Sequence, residues 1–238
     1  IIKINAIDSS NNEIKRLYHN KLHLNGLVVW AKNQTDGRGQ GNKKWLSHPN
    51  KNLTFSIFLD SKNLSLSTYL CLNLISSLSV KKVLMNNGIN NLFIKWPNDI
   101  LSVNKKVSGI LIENLYNGKK LMGSIVGVGI NVNQIVFAKN LNASSMKIIT
   151  KNEFSLKKVL HDFLDIFKQN LQLYSDFDLL KKDFNKSLFR KNEIIEYKVN
   201  GSVKKGKIVG LNDHERFQIL NLSGVKETPR ITDVKFVY

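Results

Sequence analysis

Apolar and polar positions along the chain follow two different periods, and the changes between them mark out its elements. Lys3 to Ile7 alternates weakly, as a first strand does. Asp8, Ser9, Ser10 and Asn11 then offer capping side chains ahead of Glu13, Ile14 and Leu17, which predicts a helix with Ser9 or Ser10 as its N-cap. Leu27 to Trp30 is apolar and β-branched, a buried strand, and Asn52 to Leu59 alternates as a half-buried one. Leu66 to Met85 is apolar on most sides and predicts a long buried helix ending near Gly88. Leu92 to Trp96 reads as a strand that Pro97 stops, because proline has no N–H to give a sheet ladder. Ile100 to Val103, a tight turn at Asn104-Lys105, and Val107 to Ile112 make a hairpin, and Leu121 to Asn133 is a glycine-bearing strand. Residues 134–152 are polar and irregular and read as a connecting loop. Ser155 caps a helix whose Leu156, Val159, Leu160, Phe163, Phe167 and Leu171 share one face, and a further helix covers Asp178 to Leu188.

From about Phe189 the pattern changes to short strands. Ile194 to Val199 and Val203 to Val209 flank Asn200-Gly201, a strong two-residue hairpin signal. Phe217 to Leu222, the turn Ser223-Gly224 and Val234 to Val237 complete a small β-module without clustered catalytic residue types, read as an accessory SH3-like barrel. The chain of 238 residues therefore divides into a larger domain, 1–188, and a module, 189–238.

Composition narrows the class. A hydrophobic share of 42% fits a globular protein, and no run approaches the roughly 18 apolar residues that span a bilayer. The start, IIKINAIDSSNNE, lacks the apolar core and cleavage site of a signal peptide. Cys71 is alone in an apolar run and reads as a buried small hydrophobe. A cytoplasmic protein without a membrane partner is the expectation. The net charge of +18 comes from lysines dispersed as pairs, in a sequence rich in Lys, Asn and Ile throughout. No basic run is interleaved with aromatics, so nucleic acid is not the expected partner. A basic surface still attracts anionic ligands and acidic proteins.

Chemistry concentrates in three stretches. Residues 31–41 carry Gly37, Gly39 and Gly41 with Arg38 between the first two. Such a loop reads as too flexible for regular structure, but its bare N–H groups can approach an anion, and the arginine fork can bind carboxylate or phosphate. It has neither the Walker ending nor a GxGxxG opening a helix. Trp45 lies just beyond it and reads equally as core or as a stacking surface for a purine. The second stretch, Lys95 to Glu113 (KWPNDILSVNKKVSGILIE), crowds an aromatic, a proline, an amide, a carboxylate and lysines around two apolar runs, a hairpin with a polar, ligand-facing rim. Gly109 within its strand marks a bulge or a close approach to a ligand. The third, LMGSIVGVGINVN, ends in Asn131, whose amide suits either a base edge or a strand-end turn.

These stretches together resemble the biotin protein ligases. QTDGRGQGNKKW followed by KNLTFS is similar to that family's biotin- and ATP-binding loop, KWPND with KKVSGILIE to its second signature, and GVGINVN to its third. The resemblance covers essentially the whole chain. It implies an α+β fold of the class II aminoacyl-tRNA synthetase/biotin ligase-like kind, a mixed, largely antiparallel sheet flanked by helices, with a small C-terminal SH3-like barrel. It also implies activation of biotin by ATP to biotinyl-5'-AMP, with Mg2+ as activating ion, and transfer to a lysine of an acidic biotin carboxyl carrier domain. Lys106, Arg38 and Asp99 are then the expected catalytic residues, and Asp99 the candidate magnesium ligand. Ser9, Ser10, Gln34, Gly37 and Gly109, with Arg38 and Lys106, match the biotin-binding positions. Gly39, Gln40, Trp45, Asn98 and Asn131, again with Arg38 and Lys106, match the ATP and adenylate side. With the catalytic domain beginning at residue 1, the non-regulatory type without a DNA-binding winged helix is expected, as a monomer or a homodimer.

Three positions depart from the family pattern. Gln40 stands where many members have Arg, the loop's later glycine falls at Gly41 rather than at 42, and Asp36 replaces a small residue. They bear on how tightly the adenylate is held rather than on the reaction class. The alternatives are a lipoate ligase-like acyl-adenylate transferase, against which KWPND argues, and a binding module without turnover, which would have lost Lys106 or Arg38.

Overall fold

Strands with alternating faces build the frame that carries these stretches. A computed structural model describes residues 1–22, 24–41, 43–63, 68–172, 176–199, 201–214, 216–229 and 234–237. Seven strands form one sheet: β1 (Ile2–Ile4), β2 (Val28–Ala31), β3 (Leu53–Asp60), β4 (Leu92–Lys95), β5 (Asp99–Ser102), β6 (Lys105–Asn117) and β7 (Lys120–Ile130), in the order β1-β2-β3-β7-β6-β5-β4. The β1/β2 pair is parallel and the other pairs are antiparallel, the mixed sheet that the sequence implies. The first strand stops at Ile4, short of the expected Ile7, which returns to the sheet edge only through a bridge to Gln34.

Helices cover both faces. α1 (Ser10–His19) lies on one, where Ile14 packs with Val29, Phe58 and Ile125. α2 (Thr68–Asn86), α4 (Leu156–Gln172) and α5 (Phe177–Ser187) lie on the other, over Phe55, Ile57, Ile110, Ile112, Val126 and Val128. The expected start of α2 at Leu66 lies outside the described residues. Residues 134–152 are not all loop: α3 (Met146–Thr150) forms behind Ser145, whose hydroxyl accepts from the Ile148 N–H at 3.1 Å. Among the described residues no helix is long and apolar enough to cross a membrane.

The C-terminal strands, β8 (Ile194–Val199), β9 (Ser202–Leu211), β10 (Phe217–Asn221), β11 (Lys226–Glu227) and β12 (Val234–Val237), form a separate antiparallel sheet in the order β11-β10-β9-β8-β12. Asn200 of the expected turn lies outside the described residues. Among the described residues the edge strands β11 and β12 do not pair, so the sheet is open where a closed barrel was expected. Its inner face has another surface to bury against. Tyr197, Ile208, Phe217 and Ile219 join the same apolar core as Trp96, Phe184 and Leu188. Phe217 stacks on Trp96 with ring centroids 4.7 Å apart and planes within 5°, while Phe184 meets the same indole edge-on. The hairpin carrying Trp96, the cis Trp96-Pro97 bond and Asn98 is thereby held from the C-terminal side.

Candidate active site

Strand period sets which residues meet the ligand. On β6, Ile110 and Ile112 point into the core, so Gly109, Leu111 and Glu113 point the other way, towards α1. On β7, Val126 and Val128 are core and Gly127 and Gly129 face α1. Strict alternation would send Lys106 to the side of Ser108 and Ile110. It does not, because Val107 is an extra residue: Ile100 pairs with Ser108 and Leu101 with Lys106. The bulge turns Lys106 back to the face of Gly109, where a Cβ on that glycine would lie 3.1 Å from Lys106 Nζ. A cleft of about 220 Å³ opens on this face, bounded by α1, the loop after β2, and the β5 and β6 ends.

Lys106 Nζ lies 2.6 Å from Asp99 Oδ1 and 5.4 Å from the centroid of the Trp45 ring. Lys95 stands opposite Asp99 on β4; burial holds its ammonium below the usual lysine range, Asp99 opposes that, and Lys106 and Lys43 add to it. Asn98 lines the cleft while its amide donates to the Ile110 carbonyl at 2.7 Å, tying the hairpin to β6. The backbone of Lys106 is fixed from outside as well. Its N–H donates to the Asn142 carbonyl and its carbonyl accepts from the Ser144 N–H, both at 2.9 Å.

The glycine loop is ordered, contrary to expectation. Trp45 N–H donates to the Gly37 carbonyl and Gly39 N–H to the Lys43 carbonyl, each at 2.8 Å, and Arg38 bridges Lys44. Residues 37–41 and 43–45 are thus paired as a small hairpin, with Gly41 at a φ of 64° that favours glycine. The Gly39 amide, expected on an anion, is engaged within this hairpin. Trp45 lies against the glycines of the sheet: a Cβ on Gly129 would come within 2.6 Å of its Cζ2 and 2.8 Å of its Nε1. That indole N–H is buried without a hydrogen-bond partner.

Arg38 reaches across the cleft mouth to Glu113. Its Nη2 lies 3.0 Å from Oε1, its Nη1 3.3 Å from Oε2, and Nη1 also donates to Asn12 Oδ1 at 2.9 Å. Glu113 receives Lys15 Nζ and Asn11 Nδ2 as well, each at 2.8 Å. Burial would raise the Glu113 carboxyl; Lys15, Asn11 and Arg38 outweigh it and hold the group below the usual carboxylate range.

The other end of the cleft is polar and uncharged. Ser10 donates to Gln34 Oε1 from both its N–H, at 2.8 Å, and its hydroxyl, at 3.0 Å. The Ser56 hydroxyl lies 2.7 Å from Ser10 Oγ and 2.5 Å from Asn11 Oδ1. Ser9 is the N-cap of α1, yet its side chain makes no capping hydrogen bond, and it lines the cleft.

Of the residues singled out from the sequence, Ser9, Ser10, Gln34, Arg38, Gly39, Gln40, Trp45, Asn98, Asp99, Lys106 and Gly109 meet in this cleft. Gly37 faces a neighbouring hollow behind the hairpin. Asn131 is not at the ligand surface: it is 3% exposed, and its amide donates to the carbonyls of Ser144 at 3.0 Å and Lys106 at 3.4 Å. Through these bonds its Nδ2 holds the Lys106 segment. Gly127 and Gly129, strand glycines expected to lie against a ligand, also line the cleft, whereas Asn11, Lys43, Ser56, Leu111 and Glu113 were not singled out. For Leu111 and Glu113 the signal was present, since both share the strand phase of Gly109.

The residues present do not fit a magnesium ion held by the protein. Asp99 is already opposite an ammonium at 2.6 Å, and among the described residues no group of three His, Cys, Asp or Glu side chains is placed to hold a metal.

Comparison with known proteins agrees with this geometry. The biotin–protein ligase of Schizosaccharomyces pombe is 28% identical over 233 residues, 86% of this chain and 36% of that protein. The biotin–[acetyl-CoA-carboxylase] ligase of Paracoccus denitrificans is 31% identical over 128 residues, 52% of this chain and 51% of that protein. The chain thus spans less than two thirds of either relative. Among solved structures, the biotin protein ligase of Aquifex aeolicus in complex with biotin and ATP superposes with a TM-score of 0.86 at 29% identity, covering 99% of this chain and 98% of that one. Residues 5–131, just over half of the sequence, match the biotin/lipoate A/B protein ligase family, and the chain belongs to it.

Proposed function

We propose that this chain is a biotin protein ligase, which joins biotin to AMP at the expense of ATP and passes the biotinyl group to a lysine of a carrier domain. The observation that carries this reading is the cleft itself, lined by the cations Lys106 and Arg38 and by the uncharged hydrogen-bonding groups of Ser9, Ser10 and Gln34. An acid with an apolar chain and a polar uncharged head matches that polarity. The near-complete overlap with a ligase that binds biotin and ATP supports the same assignment.

In the first step a biotin carboxylate oxygen attacks the α-phosphorus of ATP, the bond from that phosphorus to the β-phosphate bridge breaks, and pyrophosphate leaves. Two anions approach each other, so Lys106 and Arg38 lower the barrier by standing where charge accumulates. In the second step the acceptor amine attacks the carbonyl carbon and AMP leaves. Asp99, beside Lys106, is the carboxylate available to take the amine proton. Gln40 and Asn98 line the nucleotide end, and Trp45 shields the mixed anhydride from water. Magnesium, in this reading, arrives on the phosphates of ATP rather than on protein ligands. The acceptor is an acidic carboxyl carrier domain, a match for the +18 charge and for the carboxylase in the name of the Paracoccus relative.

Exchange of labelled pyrophosphate into ATP tests the reading, with biotin and lipoate as parallel substrates. Biotin-dependent exchange is expected, and Lys106→Ala or Arg38→Ala should each lower it by about 100-fold or more while the chain stays folded. Exchange with lipoate alone would move the chain to the lipoate branch of its family, and normal exchange by either variant would remove that residue from the mechanism.

A further inference from the structure

A string of polar contacts joins the two ends of the cleft through groups that the reaction itself does not use. Arg38 is gripped by Glu113 across its Nη1–Nη2 edge. Glu113 Oε2 accepts from Asn11 Nδ2 at 2.8 Å, Asn11 Oδ1 meets the Ser56 hydroxyl, and Ser56 meets Ser10, which donates to Gln34. The carboxylate at the centre of this string is half-buried, 18% exposed in its side chain, while Arg38 is 40% exposed. A long exposed side chain on a loop has many rotamers, and ordering it at the moment of binding costs affinity. A guanidinium gripped on its Nη1–Nη2 edge keeps its Nε edge for a second anion.

We propose, resting on the ligase reading, that Glu113 is a positioning residue that pre-orients Arg38 over the cleft and so retains the adenylate. Lys15, the other cation on Glu113, keeps that carboxylate ionised and anchored to α1. Gly127 belongs to the same device, since a Cβ there would collide with the Asn11 amide that supports Glu113.

The test has one arm that needs no turnover. The Nε–Hε group of Arg38, followed by nitrogen-15 NMR of the ligand-free protein, should give a sharp, slowly exchanging signal that broadens or collapses to the free-arginine position in Glu113→Gln and recovers in part in Glu113→Asp. An Arg38 signal unchanged in Glu113→Gln overturns the proposal whether or not the protein turns over. The second arm is kinetic. Glu113→Gln should raise KM for biotin and speed adenylate release by about tenfold, with the single-turnover rate at saturation within about threefold. In an Arg38→Ala background the same change should add less than about twofold, because its target is gone. Full additivity, or a loss confined to the saturated rate, would also overturn it. Failure of the wild-type protein to form any adenylate would count against the ligase reading alone, and the NMR arm would still decide the positioning.

Discussion

At the scale of the residue, two glycines decide what the cleft can hold. Gly129 leaves the floor low enough for the Trp45 indole to lie on it, and Gly109 does the same beside Lys106. Gly129→Ala would drive a methyl group into that ring and push the indole outwards. The expected result is a folded protein whose biotin affinity falls by about tenfold, read by calorimetric titration, with a shift in tryptophan emission as the ring meets water. Unchanged affinity would mean that Trp45 does not form the ligand wall. Arg38 was expected at an anion from the glycine-rich stretch around it, and Lys106, Ser10 and Gln34 from the family resemblance; all four line the cleft. Glu113 carried only its strand phase as a signal and Asn11 none, and their contact spans 102 positions of sequence, so neither stretch hints at the other. Asn131 was open for a related reason: an amide at a strand end looks alike whether its partner is a base edge or, as for its Nδ2 here, the carbonyl of Ser144.

Elements were legible where a single period runs unbroken, as in α4 and in the extent of β3, though β3, expected half-buried, is buried from Leu53 to Leu59 because helices cover both faces. They were less so where one residue breaks the phase. The bulge at Val107 carries no composition of its own, yet it decides that Lys106 faces the cleft and not the core. The C-terminal sheet shows the converse, strands read correctly but closure misjudged, because an open sheet with a neighbour to pack on needs no second face of its own. Its chemistry gives a pH prediction. Tyr197 is fully buried, and its hydroxyl donates to Glu227 at 3.2 Å. Burial first, then the Glu227 charge and hydrogen bond, push its pKa up to about 12. The folded state thus keeps the proton longer than the unfolded state does, so stability is intact below the unfolded value of 10.0 and falls as pH rises from there towards 12. The loss reaches an order of 2 kcal/mol. Urea midpoints taken between pH 9 and 12 should show this slope, and Tyr197→Phe should flatten it. An equal slope in the variant would assign the alkaline loss to the lysines instead.

At the scale of the whole molecule, the change of pattern at Phe189 is a change of secondary structure rather than a break in the core. Phe217 of the second sheet lies flat on Trp96 in the turn between β4 and β5 of the first, and Tyr197 and Ile208 share one apolar cluster with Leu188 and Phe184. Removing a buried aromatic ring typically costs about 3–5 kcal/mol, a large part of the roughly 5–15 kcal/mol that holds an ordinary domain together. Phe217→Ala should therefore destabilise the entire chain and not the module alone. The three tryptophans, Trp30, Trp45 and Trp96, make this measurable, because all lie before residue 189 while the substitution lies after it. One cooperative urea transition is expected, reported alike by tryptophan emission and by far-ultraviolet dichroism, with both midpoints lowered together in Phe217→Ala. Truncation after Leu188 should then leave Trp96 exposed and the remaining chain without a sharp transition. Two transitions, with the tryptophan midpoint unmoved by Phe217→Ala, would show instead that the sheets fold as independent units and that the stacked rings are only a contact between them. A shared transition has a consequence for the chemistry as well: Trp96 stands three residues before Asp99, so the packing that holds the two sheets together also holds the carboxylate beside Lys106.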